Sequence, residues 1–233
     1  MNEKKRINIP SAHANIQPLS GKEIKEEADR RVSLITQEFS RGLSFTEQYQ
    51  KSVTFFGSAR FSEDNPHYKK AHSIAYKISK LGFAVVTGGG PGIMEAANRG
   101  AREAGGRSLA FGIELPEEQI INPYVDDFVS FHYFFSRKVC LSYSAEAYLY
   151  FPGGFGTLDE FFEIVTLSQT HKIPRIPIML VGSDYWKPLD SFLRDMLYER
   201  HSTVSKSDFD LYTITDDEET ILKMIKNAPM RRE

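Results

Sequence analysis

A strand-type run of apolar and aromatic residues, Ala147-Tyr-Leu-Tyr-Phe151, ends abruptly at Pro152-Gly153-Gly154 and gives way to a helical pattern. Leu158, Phe161, Phe162 and Val165 fall on the apolar stripe of that helix. A strand that ends in a glycine turn opening a helix leaves the first backbone N–H groups of the helix pointing outward. The positive end of the helix dipole lies behind them, so the mouth receives phosphate or another anion. Glycine there admits close approach and tolerates the positive φ of tight turns. Thr157 and Glu160 stand at this mouth. Thr157-Leu-Asp-Glu160 also has the spacing of a capping box, so on spacing alone Glu160 is expected to cap the helix rather than act on a ligand.

The same strand–turn–helix unit recurs along the chain. Ser52 to Phe56 is a β-branched and aromatic strand ending in Gly57-Ser58, and a helix follows over about Tyr68 to Lys80. Phe83 to Thr87 is the second strand; Gly88, Gly89, Gly90 and Gly92 form its turn, with Pro91 suited to a first helical turn, and Ile93 to Ala104 is the next helix. Ser108 to Ile113 and Phe128 to Phe131 are further strands, separated by a loop rich in Pro, Glu and Asn. A helix carrying Arg137, Lys138 and Cys140 leads into the opening unit. After it come a strand (Ile176 to Val181), a helix (Tyr185 to Arg200), a short strand (Leu211 to Ile214) and a closing helix (Glu218 to Lys226). This alternation predicts an α/β fold: a Rossmann-like, doubly wound parallel sheet with helices on both faces. In such sheets ligands bind beyond the carboxyl ends of the strands, where the turns at Gly57, Gly88–Gly92 and Gly153–Gly156 all fall.

Ahead of this domain, residues 1 to about 20 are polar, contain Pro10 and Pro18 and show no period, which predicts a mobile arm. From Gly21 to about Gln50 the apolar residues Ile24, Ala28, Val32, Ile35 and Phe39 fall near one helical face. The expected organisation is an arm and helical extension over residues 1–50 and a nucleotide-binding domain over 51–228.

Charge and cysteine content narrow the ligand and the compartment. Lys+Arg total 29 against Asp+Glu 31, a net charge of -2 without a long basic run, which disfavours nucleic acid as a partner. One cysteine, Cys140, suits a reducing compartment, and no apolar run is long enough to span a bilayer. A cytoplasmic location is expected. The six histidines form no metal-ligand spacing, so neither metal nor cofactor is expected.

Neither glycine turn carries a common nucleotide fingerprint. Gly88-Gly-Gly-Pro-Gly-Ile93 lacks the last glycine of G-x-G-x-x-G, and neither turn ends in the Gly-Lys-Ser/Thr of a P-loop. Two anion-receiving turns together with Arg137-Lys138 suggest a small ligand: one phosphate bearing a sugar and a base.

Gly88-Gly-Gly-Pro-Gly-Ile-Met-Glu95, Ser136-Arg137-Lys138 and Pro152-Gly-Gly-Phe-Gly-Thr-Leu-Asp-Glu160 resemble the LONELY GUY family, long labelled "lysine decarboxylase". The resemblance runs from about Ser52 to about Trp186 and is strongest to the bacterial branch, through Phe56-Gly-Ser-Ala-Arg60 and Glu95-Ala-Ala-Asn-Arg-Gly-Ala. Glu95 stands where plant members usually have glycine. The resemblance implies a phosphoribohydrolase acting on a nucleoside 5′-monophosphate, with Arg137 and Glu160 as the catalytic pair. It places Lys138, Gly153, Gly154, Phe155, Gly156, Thr157, Leu158, Asp159 and Thr166 around the nucleotide, and an acidic residue after the third strand in contact with it, one of Glu114, Glu117 and Glu118, of which Glu118 is taken. It also implies a homodimer with sites near the subunit interface. Gly57, Ser58, Gly88, Gly89, Gly90, Gly92 and Met94 complete the expected binding set.

The residue types suit that chemistry. Cleaving an N-glycosidic bond passes through a ribosyl oxocarbenium ion, which a carboxylate such as Glu160 stabilises while orienting or deprotonating water. Arg137 stays charged and can clamp phosphate or stabilise the departing base, but it cannot be a general acid at neutral pH. Cys140 is expected to be a packed small hydrophobe. Phe131, Tyr133, Phe134 and Phe135 suit either base stacking or packing. Two other functions remain open on the sequence: a non-catalytic carrier of a nucleotide or of molybdenum cofactor, and a pyridoxal-phosphate decarboxylase using Lys138.

Overall fold

The computed structural model of the protein describes residues 20–49, 51–114 and 121–230. The expected arm at the N-terminus and the candidate contact Glu118 lie outside the described residues. The chain divides into two units between Thr36 and Gln37, inside its first helix.

Strands that are apolar on both sides pair in parallel and are covered on both faces, and that is the arrangement adopted. The elements are α1 (Gly21–Glu47), β1 (Ser52–Phe56), α2 (Pro66–Lys80), β2 (Ala84–Thr87), α3 (Ile93–Glu103), β3 (Ser108–Ile113), β4 (Asp127–Phe131) and α4 (Phe134–Ser142). There follow β5 (Ala147–Tyr150), α5 (Phe155–Gln169), β6 (Ile178–Leu180), α6 (Ser183–Leu193), β7 (Thr213–Ile214) and α7 (Glu218–Lys226). α6 runs on as π-helical turns over Arg194–Arg200. The predicted elements are all present, with ends shifted by a few residues. Pro91 lies in the turn before α3 rather than in its first helical turn. α2 has a starting signal of its own: Asn65 Oδ1 accepts from His67 N at 2.8 Å, and Pro66 opens the helix.

The strands form one sheet in the order β4-β3-β2-β1-β5-β6-β7, every neighbouring pair parallel. The chain builds outward from β1 to β4, then returns to the other side of β1 to lay down β5. The order therefore reverses between β1 and β5, and the crevice at their carboxyl ends is the natural ligand position.

Each face of the sheet has its own core. On one, α2, α3 and α7 pack Ile74, Ile78, Ile93 and Ile221 on Val53, Phe55, Val85 and Leu149. On the other, α4, α5, α6 and the residues of α1 after Gln37 pack Phe45, Leu141, Phe161 and Trp186 on Phe56, Phe111, Tyr148 and Tyr150. Phe56 and Tyr150, opposite each other in register, stack at 4.7 Å between ring centres. Arg137 on α4 and Glu160 on α5 belong to this second face.

Candidate active site

Three turns meet beyond the carboxyl ends of β1, β2 and β5, and backbone bonds join them. Ser58 N donates to Pro152 O at 3.0 Å, Phe151 N to Phe56 O at 2.9 Å and Ile93 N to Ser58 O at 3.0 Å. The last approach demands glycine at the start of α3. Gly92 has φ +70°, and a Cβ there would lie 2.3 Å from Ser58 O. The rest of the second turn is held from below, where Asn122 Nδ2 donates to Gly89 O (3.1 Å) and Gly90 O (3.0 Å).

The turns enclose a cleft of about 740 Å³. Gly57, Ser58, Arg60, Gly88, Met94, Arg137, Gly153–Thr157, Glu160 and Tyr185 line it, so the structure brings together most of the residues expected from the sequence. Gly89, Gly90 and Gly92 shape the second turn without lining the cleft. Lys138, Leu158, Asp159 and Thr166 also lie outside the lining. Leu158 packs on the core. Lys138 Nζ is engaged on the flank of α5 by Asp159 (3.1 Å) and Glu163 (3.5 Å). Thr166 is exposed further along α5. None of Phe131, Tyr133, Phe134 and Phe135 lines the cleft: Phe131 is core, whereas Phe134 and Phe135 face outward.

The capping box expected of Thr157 and Glu160 is not formed. α5 begins at Phe155, its N-cap is Gly154 with extended backbone, and no side chain caps it. Thr157 is therefore the third helical residue and Glu160 the sixth, beyond reach of the helix start. The first N–H groups of α5 face the cleft without a side-chain competitor. A box of that kind is present instead at the start of α1, where Ser20 and Glu23 exchange hydrogen bonds of 2.8 and 3.3 Å.

Glu160 turns its carboxylate to Arg137, Oε1 lying 3.4 Å from Nη1, and the two side chains are 15% and 11% exposed. Arg137 Nε donates to Phe111 O at 2.7 Å. Its Nη2 occupies the space a side chain at residue 88 would take, since a Cβ on Gly88 would lie 2.4 Å from it. Burial pushes the Glu160 carboxyl up to about 7 against the opposing pull of Arg137. Burial lowers Arg137 from its ordinary value, with Glu160 pulling it back, and the guanidinium keeps its charge. The cleft thus holds a fixed cation beside a carboxyl that changes charge near neutrality, close to the uncapped start of α5. Cys140 is buried and its thiol is pushed up to about 12, as a packed hydrophobe rather than a nucleophile would be.

Tyr185 was not legible in the sequence as a cleft residue. Its hydroxyl donates to Gly153 O at 2.8 Å and pins the turn before α5. Only the placement of β6 beside β5 brings the start of α6 there, and no local pattern signals it. Among the described residues no group of His, Cys, Asp and Glu could hold a metal ion, and no helix is long and apolar enough to cross a membrane.

The family model described as "Possible lysine decarboxylase" matches residues 94–225, more than half of the chain. The chain belongs to this family, that of the LONELY GUY proteins. A cytokinin riboside 5′-monophosphate phosphoribohydrolase of Rhodococcoides fascians is 26% identical over 155 residues, covering 64% of this chain and 77% of the relative. A pyrimidine/purine nucleotide 5′-monophosphate nucleosidase of Escherichia coli K12 is 26% identical over 198 residues, covering 78% of this chain but only 41% of the longer enzyme. Among solved structures, the molybdenum cofactor carrier protein of Chlamydomonas reinhardtii superposes with a TM-score of 0.55 at 22% identity, covering 76% of this chain and 98% of the carrier. At that identity the likeness establishes the shared fold. The LONELY GUY match also leaves out β1, β2 and α1, so Gly57, Ser58 and Gly88 enter the site through the fold rather than through the matched segment.

Proposed function

We propose that the protein hydrolyses the N-glycosidic bond of a nucleoside 5′-monophosphate, AMP or a cytokinin riboside monophosphate, to the free base and ribose 5-phosphate. The observation that carries this reading is the buried Glu160–Arg137 pair set beside the open start of α5. The backbone N–H groups of Phe155, Gly156 and Thr157 receive the phosphate, aided by the dipole of α5. The ribose then lies over Glu160. As the bond between C1′ and the base nitrogen breaks, the electron pair leaves with the base, whose nitrogen takes a proton from solvent; the ionised carboxylate stabilises the oxocarbenium ion and takes a proton from the attacking water, whose oxygen bonds to C1′. A carboxyl titrating near 7 is matched to that exchange at neutral pH. Arg137 supplies fixed positive charge to the phosphate or the departing base.

The proposal includes a homodimer acting in the cytoplasm. Phe134 and Phe135 on α4 and Phe155 and Phe162 on α5 are exposed aromatic side chains, Phe155 being 93% exposed, and offer apolar surface to a second copy.

The decarboxylase named in the family description does not fit the residues present. A pyridoxal-phosphate enzyme needs a lysine in its cleft; among the described residues none lines this one, and Lys138 is held by Asp159 and Glu163. A non-catalytic carrier would need the turns but not a buried carboxyl poised near neutrality. Incubation of the purified protein with each common nucleoside monophosphate, followed by chromatography of the products, tests the proposal. Free base from at least one is expected. Release from none refutes hydrolysis, and tight binding without turnover favours the carrier.

A further inference from the structure

Arg137 is supported from two directions, and both supports lead back to the part of α1 after Gln37, which lies outside the family match. α4 begins at Phe134, but its N-cap residue Tyr133 makes no side-chain capping bond. A carboxylate from far away in sequence binds beside this helix start. Glu38 Oε1 accepts the backbone N–H of His132, and Oε2 accepts the hydroxyl of Ser136, the residue before Arg137. Ser136 Oγ also lies 3.0 Å from Tyr133 O, a second acceptor for the same proton. Glu38 is 1% exposed, so its side chain is buried where it meets His132 and Ser136.

The second support runs through β3. α1 lies so close to α4 and β4 that a Cβ on Gly42 would sit 2.4 Å from Cys140 Sγ and 2.7 Å from Phe131 Cζ. That approach sets Phe45 edge-on against Phe111 at 5.3 Å between ring centres. The carbonyl of Phe111 is the acceptor of Arg137 Nε.

We propose that Glu38 is a positioning residue for Arg137. Acting through Ser136, it sets where α4 starts and how it is rotated, so that the guanidinium meets Phe111 O on one side and Glu160 on the other. The kinetic consequence rests on the hydrolase reading; the placement of Arg137 does not.

Full-length Glu38→Ala, Glu38→Gln and Ser136→Ala variants test this with two readouts. The first is solvent exchange of the Arg137 Nε–H proton by NMR, its signal assigned by its loss in Arg137→Lys. The second is kcat for whichever monophosphate the parent cleaves. In Glu38→Ala, exchange is expected to speed up and kcat to fall, each by about tenfold or more, as displaced catalytic groups do. Glu38→Gln keeps an acceptor for His132 N–H and offers an amide N–H to Ser136 Oγ, so both readouts should stay within about threefold of the parent. A loss of global stability alone would not speed exchange at Arg137 while leaving the other buried groups protected. If Glu38→Ala does not fold, Ser136→Ala, which cuts only the link next to Arg137, carries the test. Loss of Arg137 protection in a folded Ser136→Ala protein supports the proposal. Parental protection in a folded Glu38→Ala or Ser136→Ala protein overturns it, as does faster exchange with parental kcat. A parent that cleaves no monophosphate refutes the hydrolase reading, and the exchange measurement then decides the positioning role on its own.

Discussion

Replacing Glu160 with glutamine is expected to stabilise the protein at neutral and alkaline pH while nearly abolishing turnover. The side chain does not cap α5, so the substitution removes no helix-start bond. What it removes is a charge held in a buried place. The carboxyl titrates at about 7 in the folded protein against an ordinary 4.5. Between those two values the unfolded chain has already released the proton that the folded chain still binds, so stability falls as pH rises through this window. It is fully retained below 4.5 and the loss is complete above 7. At roughly 1.4 kcal/mol for each pH unit, the ionised side chain costs about 3 kcal/mol above the window. Glutamine resembles the protonated acid beside Arg137 and escapes that cost. For a chain of this size about 3 kcal/mol corresponds to a rise in Tm of about 6–12 °C at pH 8, disappearing near pH 4. Turnover should fall by about 10²-fold or more, because the charge aimed at the oxocarbenium ion is gone. Melting curves at both pH values and product release on the same preparations check this. A Glu160→Gln protein less stable than the parent at pH 8 refutes the burial argument, and near-parental turnover refutes the catalytic one.

Turnover of the parent should rise with pH through about 7, as the carboxyl of Glu160 ionises, and then level off; a rate that is flat from pH 5 to 8 would show that another group governs the reaction. Gly88→Ala puts a methyl group 2.4 Å from Arg137 Nη2 and 2.9 Å from Met94 Sδ. It should cost about 1–3 kcal/mol of stability by overpacking and lower kcat/KM by about tenfold, and unchanged kinetics would mean that the guanidinium can work from elsewhere. Tyr185→Phe loses the 2.8 Å bond to Gly153 O. Nucleotide affinity measured by calorimetry should weaken by about fivefold, the scale of one hydrogen bond, while a parental Kd would show that the turn holds its shape unaided.

The strand–turn–helix alternation was readable because its causes are local. Apolar runs of strand length, glycines where the backbone turns sharply and 3.6-residue stripes each depend on near neighbours in sequence. That is enough to predict a parallel sheet and to place its turns, including Gly57, Gly88–Gly92 and Gly153–Gly156, at the ligand-binding end. Locality also explains the error at Thr157-Leu-Asp-Glu160. The capping-box spacing is real, but Gly154 takes the N-cap position and α5 starts three residues earlier, which moves Thr157 and Glu160 off the helix end.

Three decisions belonged to the tertiary structure. Arg137 and Lys138 are adjacent in sequence, yet successive helix residues point about 100° apart, so one reaches the cleft and the other joins Asp159 and Glu163 on the flank of α5. Tyr185 became a cleft residue only because β6 lies beside β5. Glu38 is one carboxylate among many in the charged α1, and nothing near it in sequence distinguishes it from solvated neighbours; only burial against His132 and Ser136 does. The sequence by itself determined the secondary elements and the glycine turns at the carboxyl ends of the strands, since these arise from backbone preference and periodicity. The protonation of Glu160 and the support of Arg137 were decided by the fold, because desolvation and Coulomb interaction depend on distance through space and not on separation along the chain.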